Sequence, residues 1–228
     1  MSTGPLKSPH SMAGAVGLAA LLGLSACGTT PPAPDWQVQA KGAMDRATRA
    51  YLQGHDKAVP AELRHARSAL AQTGQPAAVA QAELLHCAAQ VASLVLGPCA
   101  AWDALAVDAT PAQRAYAAYL QGHILTAEKI ALLPAAQRPV AQRSAQDAQA
   151  LPATMEPLSL LVAAAHLLQR AQCPPAVMDQ AIDTASQQGW RRPLLAWLTL
   201  KHQAAVQAQQ KESADQLARR LRLLQGQP

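Results

Sequence analysis

From Asp35 onward, apolar residues recur at intervals of three and four, and prolines and glycines punctuate the runs. Ala80, Leu84, Cys87, Val91 and Leu94 form one stripe, and Leu158, Leu161, Val162, Ala165 and Leu168 form a second. Ala214, Leu217, Leu221 and Leu224 form a third, with Arg219 and Arg222 lying away from it. Stripes of this period face a core when the chain is helical. Proline suits the first turn of a helix and glycine the position just past its end, so the punctuation marks element boundaries. It predicts helices from Asp35 to Gln53 (stopped by Gly54), Pro60 to Gly74, Pro76 to Gly97 and Pro98 to Asp108. Thr110-Pro111 caps a fifth that ends at Gly122. Three shorter ones lie between Ile124 and Gln172, divided by Pro134, Pro139, Pro152 and Pro157. Pro175 to Gln188 stops at Gly189, and Pro193 opens a C-terminal stretch broken near Lys211. No window alternates with period two, so the expected fold is all-α, with roughly ten short helices.

Composition supports that reading. Of 228 residues 53 are alanine, aromatics make up 3% with no Phe, and 14% are charged. The chain is too apolar for a disordered one and too poor in β-branched and aromatic residues for a sheet. Alanine, leucine, glutamine and arginine are good helix formers.

Residues 1–27 read MSTGPLKSPHSMAGAVGLAALLGLSAC. Lys7 and His10 precede an apolar run from about Met12 to Leu24, too short for a stable bilayer span of about 20 residues. Leu24-Ser25-Ala26-Cys27 resembles the lipobox of bacterial lipoproteins. The resemblance implies a signal peptide at 1–26, cleaved before Cys27, and a Cys27 acylated on its sulfur and on its new amino group. Several acyl chains on one residue give essentially permanent membrane attachment. Residue 28 is Gly and not Asp, which by the same resemblance favours the outer membrane, with the body facing the periplasm. Residues 27–34 then form a proline-rich tether, which at about 3.1 Å per residue reaches about 25 Å. The expected folded domain is 35–228.

The hexapeptide Ala50-Tyr-Leu-Gln-Gly-His55 recurs as Ala118-Tyr-Leu-Gln-Gly-His123. The offset of 68 residues is twice 34, the period of tetratricopeptide (TPR) arrays. The chain therefore resembles TPR-like proteins, which implies short antiparallel helical hairpins wound into a right-handed solenoid. No repeat carries the full TPR pattern, and residues 84–89 at the intermediate offset do not match, so an irregular helical bundle is the alternative.

The candidate chemistry is sparse. Cys87, Cys99 and Cys173 accompany Cys27, and an oxidising periplasm favours a disulfide. The Gly97-Pro98 break lets Cys99 return to Cys87, which makes Cys87–Cys99 the expected bridge and Cys99–Cys173 its rival. No metal site is expected: His86 and Cys87 point about 100° apart on a helix, and no CxxC or HExxH spacing occurs. His55 and His123 read as turn residues, Asp179 and Asp183 as a solvated face, and Glu62 and Glu83 fall on separate helices. Trp36, Trp102, Trp190 and Trp197 read as core anchors. The basic C-terminal third (Arg191, Arg192, Lys201, Lys211, Arg219, Arg220, Arg222) reads as a solvated face, with an acidic partner as the second reading.

These features anticipate a membrane-anchored scaffold or adaptor with a protein partner, no cofactor, no nucleic acid and no enzymatic activity. A deep polar pocket would instead favour an enzyme, and an enclosed apolar cavity a binder of lipid or small molecules.

Overall fold

The computed structural model describes residues 33–144, 147 and 149–226, so the leader, Cys27 and most of the tether lie outside the described residues. Among the described residues there are eleven α-helices and no strand. They are α1 (Asp35–Gln53), α2 (Val59–Ala71), α3 (Pro76–Ala92), α4 (Ala100–Asp103), α5 (Pro111–Leu120), α6 (Ala127–Ala131), α7 (Arg138–Ala141), α8 (Pro157–Gln169), α9 (Pro175–Gln187), α10 (Arg191–Gln207) and α11 (Lys211–Leu224). One 3-10 turn spans Ala106–Asp108. The all-α expectation holds, and α3, α5, α8 and α9 each open on a proline as predicted. At α5 the Thr110 hydroxyl accepts from the Gln113 N–H at 3.2 Å, and the Gln113 carboxamide oxygen accepts from the Thr110 N–H at 3.0 Å. This reciprocal capping box satisfies two otherwise free donors of the helix end.

The repeated hexapeptide ends two helices in the same way. Gly54 (φ 83°) and Gly122 (φ 75°) are left-handed. His55 N–H donates to Ala50 O at 2.8 Å and His123 N–H to Ala118 O at 3.0 Å, the long bond of a Schellman cap. His55 and His123 are thus turn residues, as read from the sequence.

Three other helices end without glycine; at α3 the predicted bound fails, while the break after α10 falls just before Lys211 as expected. Helix α3 stops at Ala92 rather than Gly97, because Leu94 takes the left-handed position (φ 58°) and Val95 N–H closes on Gln90 O at 3.0 Å. Ala171 (φ 53°) does the same after α8, and Gln209 (φ 56°) after α10. The helix expected over Pro98–Asp108 is instead the single turn α4 and the 3-10 turn. Cys99 is bonded back to α3 and Trp102 is sunk into the core, so the segment follows α3 in short bends.

The packing is built from small side chains. In α1, Ala40, Ala43, Ala47 and Ala50 form a buried stripe at three-four-three spacing. It meets Leu63, Ala66, Ala69 and Leu70 of α2, so this hairpin closes without bulky residues. Helix α8 lies at the centre, buried from Leu160 through Leu167 on all faces and packed on α3, α5 and α9. The stripe predicted for α8 was too narrow, because neighbours surround it. Helices α9, α10 and α11 follow in succession, and α10 returns to the start of the chain. Trp197, fully buried, donates its indole N–H to Ala92 O at 3.0 Å, and Arg192 Nε donates to Tyr51 O at 2.8 Å.

Cys87 and Cys99 are disulfide-bonded with a Cα separation of 6.1 Å, the pairing expected over its rival, and Cys173 is free. The bridge spans a sequence separation of 12, so Cys87→Ser/Cys99→Ser should cost about 3 kcal/mol, read as a lower urea midpoint. The twin helix ends supply a second comparison. A Cβ at Gly54 would meet nothing within 4 Å, whereas one at Gly122 would lie 2.7 Å from Gln169 Cβ. Gly54→Ala should therefore cost about 1 kcal/mol and Gly122→Ala about 3 kcal/mol by chemical denaturation.

Candidate interaction groove

The two tyrosines of the repeat each meet a histidine from a neighbouring helix. Tyr51 lies edge-on to His86 of α3 with centroids 5.2 Å apart, and the Arg192 guanidinium sits 4.3 Å above its ring. Arg192 also pairs with Asp56, so one side chain of α10 clamps the end of α1 by cation–π contact, hydrogen bond and ion pair. Tyr119 stacks on His166 of α8 at 3.9 Å, and its hydroxyl donates to Gln137 Oε1 at 2.7 Å. Gln137 in turn donates to Ser159 O at 3.0 Å. His166 Nδ1–H donates to Tyr119 O at 2.8 Å, which fixes its tautomer and leaves Nε2 buried without a partner. Burial pushes the His166 pKa down to about 4, its bond to the Tyr119 carbonyl partly offsets this, and Arg170 lowers it further. Burial likewise lowers His86, the nearby Glu83 raises it, and Arg67 and Arg192 add to the lowering.

These locked helix ends frame a surface groove. A cleft of about 520 Å³ lies between the C-terminal half of α1 and the N-terminus of α8, floored by Leu52, Leu85, Leu158 and Trp190. A second, of about 460 Å³, lies between α3 and α5, walled by Leu85, Tyr116 and Leu133. Leu85 borders both, and the two clefts on either side of it are together termed the trough. The rim of the trough is largely uncharged: Thr48, Gln53 and Gln188 on one side, and Gln81, Thr110 and Gln113 on the other. Arg49 also lines the first cleft and has no salt-bridge partner among the described residues, whereas Asp45 is paired with Lys41 and Glu156 caps α8.

A smaller pocket of about 190 Å³ sits beside the disulfide, lined by Leu84, Val91, Trp102 and Leu120. That is below the roughly 300 Å³ at which small-molecule sites begin.

The residues singled out in the sequence do not converge on a reaction centre. Cys27 lies outside the described residues. Cys173 is half-buried, and burial pushes its thiol up to about 11, the opposite of an activated nucleophile. Glu83, buried, is held bidentately by Arg67, with Nη2 donating to Oε2 at 3.0 Å, while Glu62 pairs with Arg46. Asp179 pairs with Lys201, leaving Asp183 exposed. Among the described residues no cluster of His, Cys, Asp and Glu could hold a metal ion. Trp102 and Trp197 are core anchors as expected, whereas Trp190 is half-buried and floors the groove. The basic third divides: Arg192, Lys201 and Lys211 form ion pairs, Arg191 binds Leu224 O, and Arg219 and Arg222 face solvent. Sequence reading missed the groove itself, because Leu85 and Leu158 carry no motif and only adjacency in the fold brings them beside Leu52 and Trp190. Comparison with family models, curated proteins and solved structures finds no match to this chain.

His166 supplies a pH test. Its imidazole is neutral in the fold, with a pKa near 4 against an ordinary 6.5, so on acidification the unfolded chain takes up this proton first. Stability is then fullest above pH 6.5 and falls by about 3 kcal/mol towards pH 4 through this residue. His166→Gln should flatten that part of the profile of urea midpoint against pH.

Proposed function

We propose that this chain is a lipoprotein anchored through Cys27 in the outer membrane, whose periplasmic body is a scaffold or adaptor that binds a protein segment in the trough centred on Leu85. The observation that carries the reading is a pair of open clefts that share Leu85, one against α1 and α8 and the other against α5, with half-buried Leu85, Leu158 and Trp190 among their lining and several uncharged glutamine and threonine side chains at their edges. An extended polypeptide meets such a surface well, since glutamine and threonine side chains can donate to and accept from its backbone while leucines receive its apolar side chains. The stacked-hairpin architecture belongs to the same proposal. Successive pairs α1–α2, α2–α3, α8–α9, α9–α10 and α10–α11 pack as neighbours in an array do, and α10 on α1 closes the array upon itself.

Two observations weigh against the other classes. An enzyme needs convergent polar groups in a pocket, whereas the buried Glu83 is paired with Arg67 and the buried His166 ring stacks on Tyr119 in the core. A lipid binder needs an enclosed apolar cavity of ligand size, and the pocket beside the disulfide is too small. No helix among the described residues is long and apolar enough to cross a membrane, so in this reading attachment falls to Cys27.

Photo-crosslinking in intact cells tests the proposal. A photoreactive residue at Gln53 or Gln81 on the trough rim should capture one stoichiometric protein partner, and the same residue at exposed Val206 should not. Leu85→Glu should abolish capture while moving the urea midpoint less than removal of the disulfide does. Absence of a stoichiometric partner from both rim positions overturns the reading.

A further inference from the structure

We propose that the open end of the α1–α2 hairpin is a membrane-contact face, seated on the zwitterionic headgroup layer of the bilayer that holds the anchor, so that the trough is presented away from the membrane. This inference rests on the acylation of Cys27 proposed above. The described chain begins at Ala33 and α1 starts at Asp35, so seven residues separate the acylated position from the body. At about 3.1 Å per residue that tether keeps the start of α1 within about 25 Å of the bilayer.

The surface at this end suits a headgroup layer. Val38 is 59% exposed, an apolar side chain of the first two turns left facing outward. Trp36 is half-buried against the cluster of Ala40, Ala69, Leu70 and Ala82, the placement of an indole with one apolar side and one wet edge. Beside them a cleft of about 490 Å³ opens between α1 and α2, lined by Val38, Gln39, His65, Ser68 and Gln72. The charges near this end nearly cancel. Lys41 pairs with Asp45, Arg46 with Glu62 and Arg67 with Glu83, while Asp35 and Arg64 have no ion-pair partner among the described residues. A near-neutral, amide-rich surface with one exposed aliphatic and one tryptophan matches zwitterionic headgroups better than a strongly anionic layer. Because the anchor holds the protein there at high effective concentration, a contact too weak to recruit a free protein suffices.

The rest of the fold then points outward. Helix α1 is 19 residues long, about 28 Å, and its far end is clamped by Arg192. The neighbouring Arg191 binds Leu224 O, which puts the end of α11, with Leu223 69% exposed, at that distal side. The trough is bordered by Asp45 to Gln53, the distal half of α1.

The test uses the full chain, lipidated in cells and reconstituted into phosphatidylethanolamine–phosphatidylglycerol vesicles that contain a headgroup-labelled quencher lipid. In a Cys173→Ser background, a fluorophore is placed on Val38→Cys, Gln72→Cys or Leu223→Cys. Quenching at 38 and 72 should exceed that at 223 several-fold, and the two proximal sites guard against misfolding of either variant. Equal quenching at the proximal and distal sites, or more at 223, overturns the orientation. Intact mass separates that failure from failure of its basis: a purified chain without the acyl mass on Cys27 overturns the lipoprotein reading and this proposal with it.

Discussion

Every other feature of this fold depends on the close approach of helices whose touching faces are rich in alanine. With no Phe and few aromatics, the core cannot fill space with large side chains, so helix backbones must come near one another. The alanine stripe of α1 against Ala66 and Ala69 of α2 does this at one edge, and the fully buried α8 does it at the centre. Small contacts are individually weak and poorly specifying, so the few large or polar residues have to set which helix meets which. Trp197 on Ala92 O, Tyr119 with His166 and Gln137, Arg192 over Tyr51, and the disulfide from α3 to Cys99 are those residues.

Most of these ties attach to helix ends rather than middles. Tyr51 and Tyr119 occupy the last turns of α1 and α5, and their carbonyls, which accept from Gly54 N–H and Gly122 N–H at 3.0 Å, accept from Arg192 and His166 as well. The Schellman cap and the inter-helix tie are therefore one device used twice. It fixes α1 to α10 and α5 to α8, holding the helices that carry Leu52, Leu85 and Leu158 around one trough. Burial keeps both histidines neutral, and a charged ring in either place would loosen that frame.

Helix ends marked by glycine or proline were legible residue by residue: α1 at Gln53 before Gly54, α5 behind Thr110-Pro111, and α9 before Gly189. The end carried by Leu94 was not, because a left-handed non-glycine residue costs about 1 kcal/mol locally and is selected only by the packing on either side. The same holds for α4, where Trp102 and Cys99 answer to partners on α3 rather than to their own neighbours. The groove was illegible for a related reason: its floor comes from α1, α3, α8 and the turn before α10.

The sequence by itself determined the all-helical class and the twin helix ends, and favoured the Cys87–Cys99 pairing over its rival. These follow from periodicity, local backbone preference and short chain separation, which act over a few residues. The tertiary structure alone decided that α8 is buried on every face, that α10 folds back onto α1, and that Leu85 borders two clefts. Those depend on contacts between segments far apart in the chain. With so much of the core alanine, the local pattern carries little information about which distant segment will be met.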